Sequence, residues 1–272
     1  MTSYPAEDGE TATVTTDELL ALTGLLNIQT LPVVLGVGYR HDTVAAWSAA
    51  HRRARVRLRS SGFVDDGGEV AADLAAALYV LAQPERELVA RIHTATGLRR
   101  VCLARRGPQH AVAIRFGDDF DIRPTWADES GAVLARPFLA ELDSCPPARV
   151  GSFSVPAEAL RERLDGVVDS AGYIQAVYAL GVEERTAIEF GSALATCNAY
   201  AELVACTHDA GSTCRAPGAV VVYDTERGRL VASPGVSPDQ QLWTTFTSGS
   251  DHRIAQAVSA LIGSLPAGGW MS

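Results

Sequence analysis

From Thr15 onward apolar residues recur at Leu19, Leu22, Leu25 and Leu26, the three-to-four spacing of one helix face, and Thr15 with Glu18 has the form of a capping box. The spacing predicts a helix of about three turns there. Residues 30–38 are rich in Leu and Val, contain Pro32 and end on glycine, which predicts a buried strand. Over 43–59, Val44, Trp47, Val56 and Leu58 alternate with Arg52, Arg53, Arg55, Arg57 and Arg59, and this predicts a helix with a solvated basic face. Gly67-Gly68 and Pro84 bracket a further helix at 69–81. Four strand-like runs follow at 87–94, 99–105, 110–116 and 120–126. The turn residues Arg106-Gly107-Pro108 and Gly117-Asp118-Asp119 join the last three into an antiparallel meander, and a helix at 129–142 runs up to Pro146-Pro147.

The second half of the chain repeats this order. Helices are predicted at 156–168, 173–180 and 183–195, strands at 200–207, 219–223, 229–233 and 241–246, and a final helix at 251–263 capped by Ser248 or Ser250. The phrase Glu87-Leu88-Val89-Ala90 with His93 three places on returns as Glu202-Leu203-Val204-Ala205 with His208 three places on. Beyond a loop five residues longer in the second copy, Val101 answers Val221, Trp126 answers Phe246, Ser130 answers Ser250, and Ser144-Cys145-Pro146 answers Ser264-Leu265-Pro266. Residues 86–148 and 201–268 therefore look like two copies of one unit. The expected fold is α+β, with two pseudo-symmetric subdomains whose antiparallel sheets join at a central sheet, flanked by helices and a C-terminal helical bundle. The boundaries expected are a polar tail at 1–14, a first subdomain at 15–148 and a second at 149–272.

Composition narrows the chemistry. All 23 basic residues are arginine, so Schiff-base catalysis and the lysine-bearing phosphate loop drop out. A net charge of −9 opposes nucleic acid and anionic membrane as partners. No apolar run reaches the roughly 18 residues of a membrane span, and the opening residues 1–10 carry no basic or apolar signal region, so a cytoplasmic protein is expected. Five cysteines, odd in number and without C-x-x-C spacing, read as apolar filling and not as a disulfide framework. Cys206 and His208 share a strand face, but the first copy has Arg91 and His93 at the same places. Gly36-Val37-Gly38 lacks the rest of a dinucleotide loop, and Asp118, Asp119 and Asp121 lack the terminal glutamate of a calcium loop. No catalytic residue, metal site or cofactor is expected. Phe116, Phe120, Trp126, Trp243 and Phe246 are core candidates, a minority of which can line a docking face.

The segments Val101-Cys102-Leu103-Ala104-Arg105-Arg106-Gly107 and Ala111-Val112-Ala113-Ile114-Arg115, the run Trp243-Thr244-Thr245-Phe246-Thr247-Ser248-Gly249-Ser250, the close Ser264-Leu265-Pro266-Ala267-Gly268-Gly269-Trp270, Gly228-Arg229-Leu230-Val231 and the helix near 17–26 together resemble the EspG family, cytosolic chaperones of ESX (type VII) secretion in actinobacteria. The resemblance covers nearly the whole chain in order. It implies a non-enzymatic chaperone that binds the apolar tip of the PPE subunit in a PE–PPE heterodimer, keeps it soluble and directs it to a cognate secretion machine. It also implies a partner surface made by the central sheet, the helical bundle and a hairpin loop, which falls here at Arg105, Arg106, Gly107, Pro108 and Gln109. Trp126, Trp243 and Phe246 are the sheet-face candidates. A monomer or weak homodimer is expected. The alternative is an enzyme or small-molecule-binding protein on the same duplicated scaffold, with His93 or His208 at the seam.

Overall fold

A computed structural model describes residues 11–209, 211–266 and 268–271, and shows an α+β fold with a large antiparallel sheet and helices packed on it. Residues 1–10 of the expected tail lie outside the described residues. The chain forms two compact units: one of Met1–Val89, Leu98–Ala127 and His208–Gly211, the other of Ala90–Gly97, Asp128–Thr207 and Ser212–Ser272.

In the first unit, Ala12–Thr15 form a strand, β1, where the sequence suggested tail; it pairs antiparallel with β5, Asp119–Thr125. Ala12 and Val14 turn inward, so the strand is held by its apolar alternation as well as by its ladder. The predicted capping box is present. Thr15 accepts from the Glu18 amide while the Glu18 carboxylate accepts from the Thr15 amide, and this starts α1, Thr16–Leu25.

The buried strand expected at 30–38 is absent, and Val33–Leu35 make one 3-10 turn. Pro32 has no N–H to give a ladder, and Gly36 takes a left-handed conformation that ends the turn at once. Val34 and Leu35 are buried while Val33 faces outward. Thr43 caps α2, Val44–Ser60, and α3 is Ala72–Ala82. The meander is β3, Gly97–Arg106, β4, Gln109–Phe116, and β5, in the predicted register of turns. Leu19, Leu22, Leu58, Leu78, Leu81 and Phe120 fill the core on which α1, α2 and α3 meet this sheet.

In the second unit the sheet runs through β7, Cys197–Asp209, β9, Val220–Thr225, β10, Leu230–Val236, β11, Leu242–Ser248, and β6, Phe153–Pro156; β8, Ser212–Arg215, pairs with β7. β6 is a strand that the sequence reading did not predict, and the helix expected at 156–168 begins directly after it. Phe153–Pro156 lie along β11, and Pro156 is tolerated because it ends an outer strand and then begins α5, Ala157–Leu164. The next helices are α6, Ser170–Tyr178, capped by Asp169, and α7, Glu184–Leu194, capped by the Glu183 carboxylate. Phe153, Phe190 and Phe246 form the aromatic centre of this core, Phe190 meeting each of the other two edge-on at centroid distances of 5.1 and 4.7 Å.

The helices that end the two sequence repeats, α4, Gly131–Leu139, and α8, Asp251–Gly263, pack on each other in this same unit. Leu134 and Phe138 on one, and Ile254, Val258 and Leu261 on the other, are buried. They approach closely at Gly131, where an added Cβ would sit 2.1 Å from the Ala255 carbonyl oxygen. Ser250 caps α8 through the Arg253 amide, deciding between the two serines proposed from sequence.

Candidate functional site

The candidate hairpin is built by strand register. Arg106 faces Gln109 at the end of the β3–β4 ladder, so Gly107 and Pro108 make a two-residue turn, and Gly107 supplies the required positive φ of 54°. Arg106, Pro108 and Gln109 are exposed. Arg105 is not: it is buried and its guanidinium donates to the Glu85 carboxylate at 3.0 Å, which also accepts from the Gly107 amide at 3.1 Å. Glu85 thus clamps the base of the turn from beneath, and Arg105 belongs to that clamp and not to the exposed tip. Opposite Arg105 in the ladder is His110, also buried. Burial first, and then the positive charge of Arg105, push its imidazole down to about 4, so it is neutral at physiological pH.

Trp126 comes one residue after Thr125, which faces His110 across β4–β5, and therefore stands at the same end of the meander as the turn. It is 52% exposed. Trp243 lies on β11 opposite Gly235 and Pro156 and is half-buried. Phe246 is 3% exposed and packed between Phe153 and Phe190, so it is core and presents no surface. Of the eight residues singled out from sequence, Arg106, Gly107, Pro108, Gln109 and Trp126 come together on one exposed rim, whereas Arg105 and Phe246 hold the fold behind it.

The helices carry further apolar surface that the sequence pattern did not single out. Val168 between α5 and α6 is 85% exposed, and Tyr178 on α6 and Ile188 on α7 are about half exposed. A signal was present. On α7 the inward face is set by Ala187, Phe190, Gly191 and Ala193, and Ile188 falls off it.

The two histidines matched in the sequence have different surroundings. His208 Nε2 lies 2.9 Å from the Glu87 carboxylate, while its counterpart His93 stacks on Tyr200 with centroids 4.5 Å apart. The repeat equivalent of Glu87, Glu202, instead has Arg215 at 3.9 Å. Among the described residues no group of three or more His, Cys, Asp or Glu is placed to hold a metal ion, and no helix is long and apolar enough to cross a membrane.

The chain is similar to known proteins over nearly its whole length. The chain is 28% identical over 259 residues to the ESX-3 secretion-associated protein EspG3 of Mycolicibacterium smegmatis, covering 94% of this chain and 88% of the relative. It is 27% identical over 266 residues to the ESX-1 secretion-associated protein EspG1 of Mycobacterium tuberculosis, covering 95% and 88%. Among solved structures its fold is similar to the Mycobacterium tuberculosis type VII secretion system chaperone EspG5, solved in complex with a PE25-PPE41 dimer, with a TM-score of 0.81 at 21% identity over 97% of this chain and 99% of that one. Residues 15–260 match the sequence profile of the EspG family, and the chain belongs to that family.

Proposed function

We propose that this protein is a non-enzymatic cytoplasmic chaperone that binds the apolar tip of the PPE subunit in a PE–PPE heterodimer and directs the pair to its ESX secretion system. Membership of the EspG family carries the reading. The second unit offers the exposed apolar residues Val168, Tyr178 and Ile188, and the first offers Trp126 and the turn Arg106–Gln109. A PPE tip that would otherwise self-associate is kept soluble when its apolar area is covered, and mass action favours the complex without ATP. A stable complex of this kind buries about 1,200–2,000 Å². That is more than three exposed side chains supply. The rival reading, an enzyme with a histidine-lined site, draws no support from His93 and His208, whose partners differ between the repeats.

The test is co-expression with each PE–PPE pair of the source organism. At least one pair is expected to co-purify as a stoichiometric complex and to stay soluble only with this chain. A folded protein that retains none of them would overturn the reading.

A further inference from the structure

Helix α2 has 17 residues, contains no Asp or Glu, and carries five arginines in a protein of net charge −9. Its inward face is Ala50, Ala54 and Leu58, one residue per turn, packed toward α1. Arg52, Arg55, Val56 and Arg59, spaced i, i+3, i+4 and i+7, fall together on the opposite face, where all four are exposed. Val56 is 67% exposed at the middle of that stripe. Arg57 is engaged, its Nε donating to Glu18 at 2.9 Å, but among the described residues Arg52, Arg53, Arg55 and Arg59 form no ion pair. A run of guanidiniums without carboxylates costs an isolated helix some stability through like-charge repulsion at i,i+3 and i,i+4, offset only in the last turn, where the helix dipole favours Arg57 and Arg59.

From this we infer a further docking surface, one that takes an acidic helical segment of a protein partner. Arg52 and Arg59 are seven residues apart, about 10 Å along the axis. Carboxylates at i, i+3 and i+7 on a partner helix repeat that spacing, and an apolar side chain between them meets Val56. Bidentate Arg–carboxylate pairing supplies the geometry. A membrane is the poorer match: a helix lying on lipid offers a broad apolar face, whereas the apolar face of α2 is turned into the protein. Nucleic acid is the poorer match too. The one large aromatic ring on the helix, Trp47, is stacked on His51 at 5.3 Å and stands outside the arginine stripe, so no base-stacking platform lies beside the cations.

The experiment titrates the full chain with a fluorescent helical peptide bearing Glu at i, i+3 and i+7 with Leu at i+4. Its controls are an isomer with the same residues spread around the helix, a short DNA duplex, and phosphatidylserine vesicles. The patterned peptide should bind at least about tenfold tighter than the isomer, weaken as salt is raised, and lose about tenfold or more with R52E/R55E/R59E. Should the reversed variant not fold, R52Q/R55Q/R59Q serves, with a loss of about threefold or more expected. Equal binding of the two peptides, an unchanged affinity in the folded variant, or tighter binding of the duplex or the vesicles would overturn the inference.

Discussion

Arg229 holds Asp224 with two parallel bonds, Nε to Oδ1 at 2.5 Å and Nη2 to Oδ2 at 2.8 Å, and both side chains are more than nine-tenths buried. The same Nη2 donates to the Asp143 carbonyl at 2.8 Å, and the Arg229 amide to the Pro146 carbonyl at 2.6 Å. The pair therefore staples the segment before residue 148 to the β9–β10 hairpin.

Removing one member of that pair should be far worse than its surface counterparts. Asp224→Ala leaves a buried guanidinium uncompensated and is expected to cost about 3–5 kcal/mol in urea unfolding. Asp224→Leu combined with Arg229→Met should cost less than either single change. The exposed pair Glu158–Arg161 is the control: Glu158→Ala should move the urea midpoint hardly at all.

Gly131 sets how near α4 comes to α8. A Cβ there would meet the Ala255 carbonyl oxygen and the Ser259 hydroxyl at 2.1 and 2.2 Å, and the first of these is backbone that a rotamer change cannot move. Gly131→Ala should destabilise by about 1–3 kcal/mol despite the better helix propensity of alanine, read as a fall in Tm.

His110 gives a pH dependence with a definite sign. Its folded value, about 4, lies below its ordinary 6.5, so the unfolded chain takes up the proton first. The stabilisation is fully present above pH 6.5 and is lost as pH falls toward 4, on the order of 2 kcal/mol by pH 5. His110→Gln should flatten the change in urea midpoint between pH 7 and 5, although it lowers stability at pH 7.

Much of this was legible in the sequence, and the failures have a common cause. The Thr15–Glu18 box, the turn at 106–108 and the bounds of α8 were readable because each depends on residues close together in sequence. Three strands of four residues each were missed: β1 and β6 pair with segments about 100 and 90 positions away, so no local period announces them, and β8, which pairs with β7, is too short to show one. Residues 30–38 misled in the other direction: apolar content suggested a strand, but Pro32 and Gly36 left only one turn. At the site, the β4–β5 register puts Trp126 at the hairpin end of the meander. Periodicity alone, however, could not tell that Arg105 points at Glu85 or that Phe246 lies between two other rings.

Charge placed on the helical apolar surface should separate binding from folding. Tyr178→Glu with Ile188→Glu alters side chains already half in water and should change stability by no more than about 0.5 kcal/mol each. Co-purification with the PE–PPE partner should fall at least tenfold. An undiminished complex would move the interface off α6 and α7.

The packing of α4 against α8 also bears on how such a protein can diversify. Helices α4 and α8 cover each other, so a gene cut at residue 148 would release a first fragment whose Leu134 and Phe138 have lost their cover, and a second whose Ile254 and Val258 have lost theirs. Exchange of one half alone with that of a relative should therefore yield insoluble chimaeras unless both helices travel together.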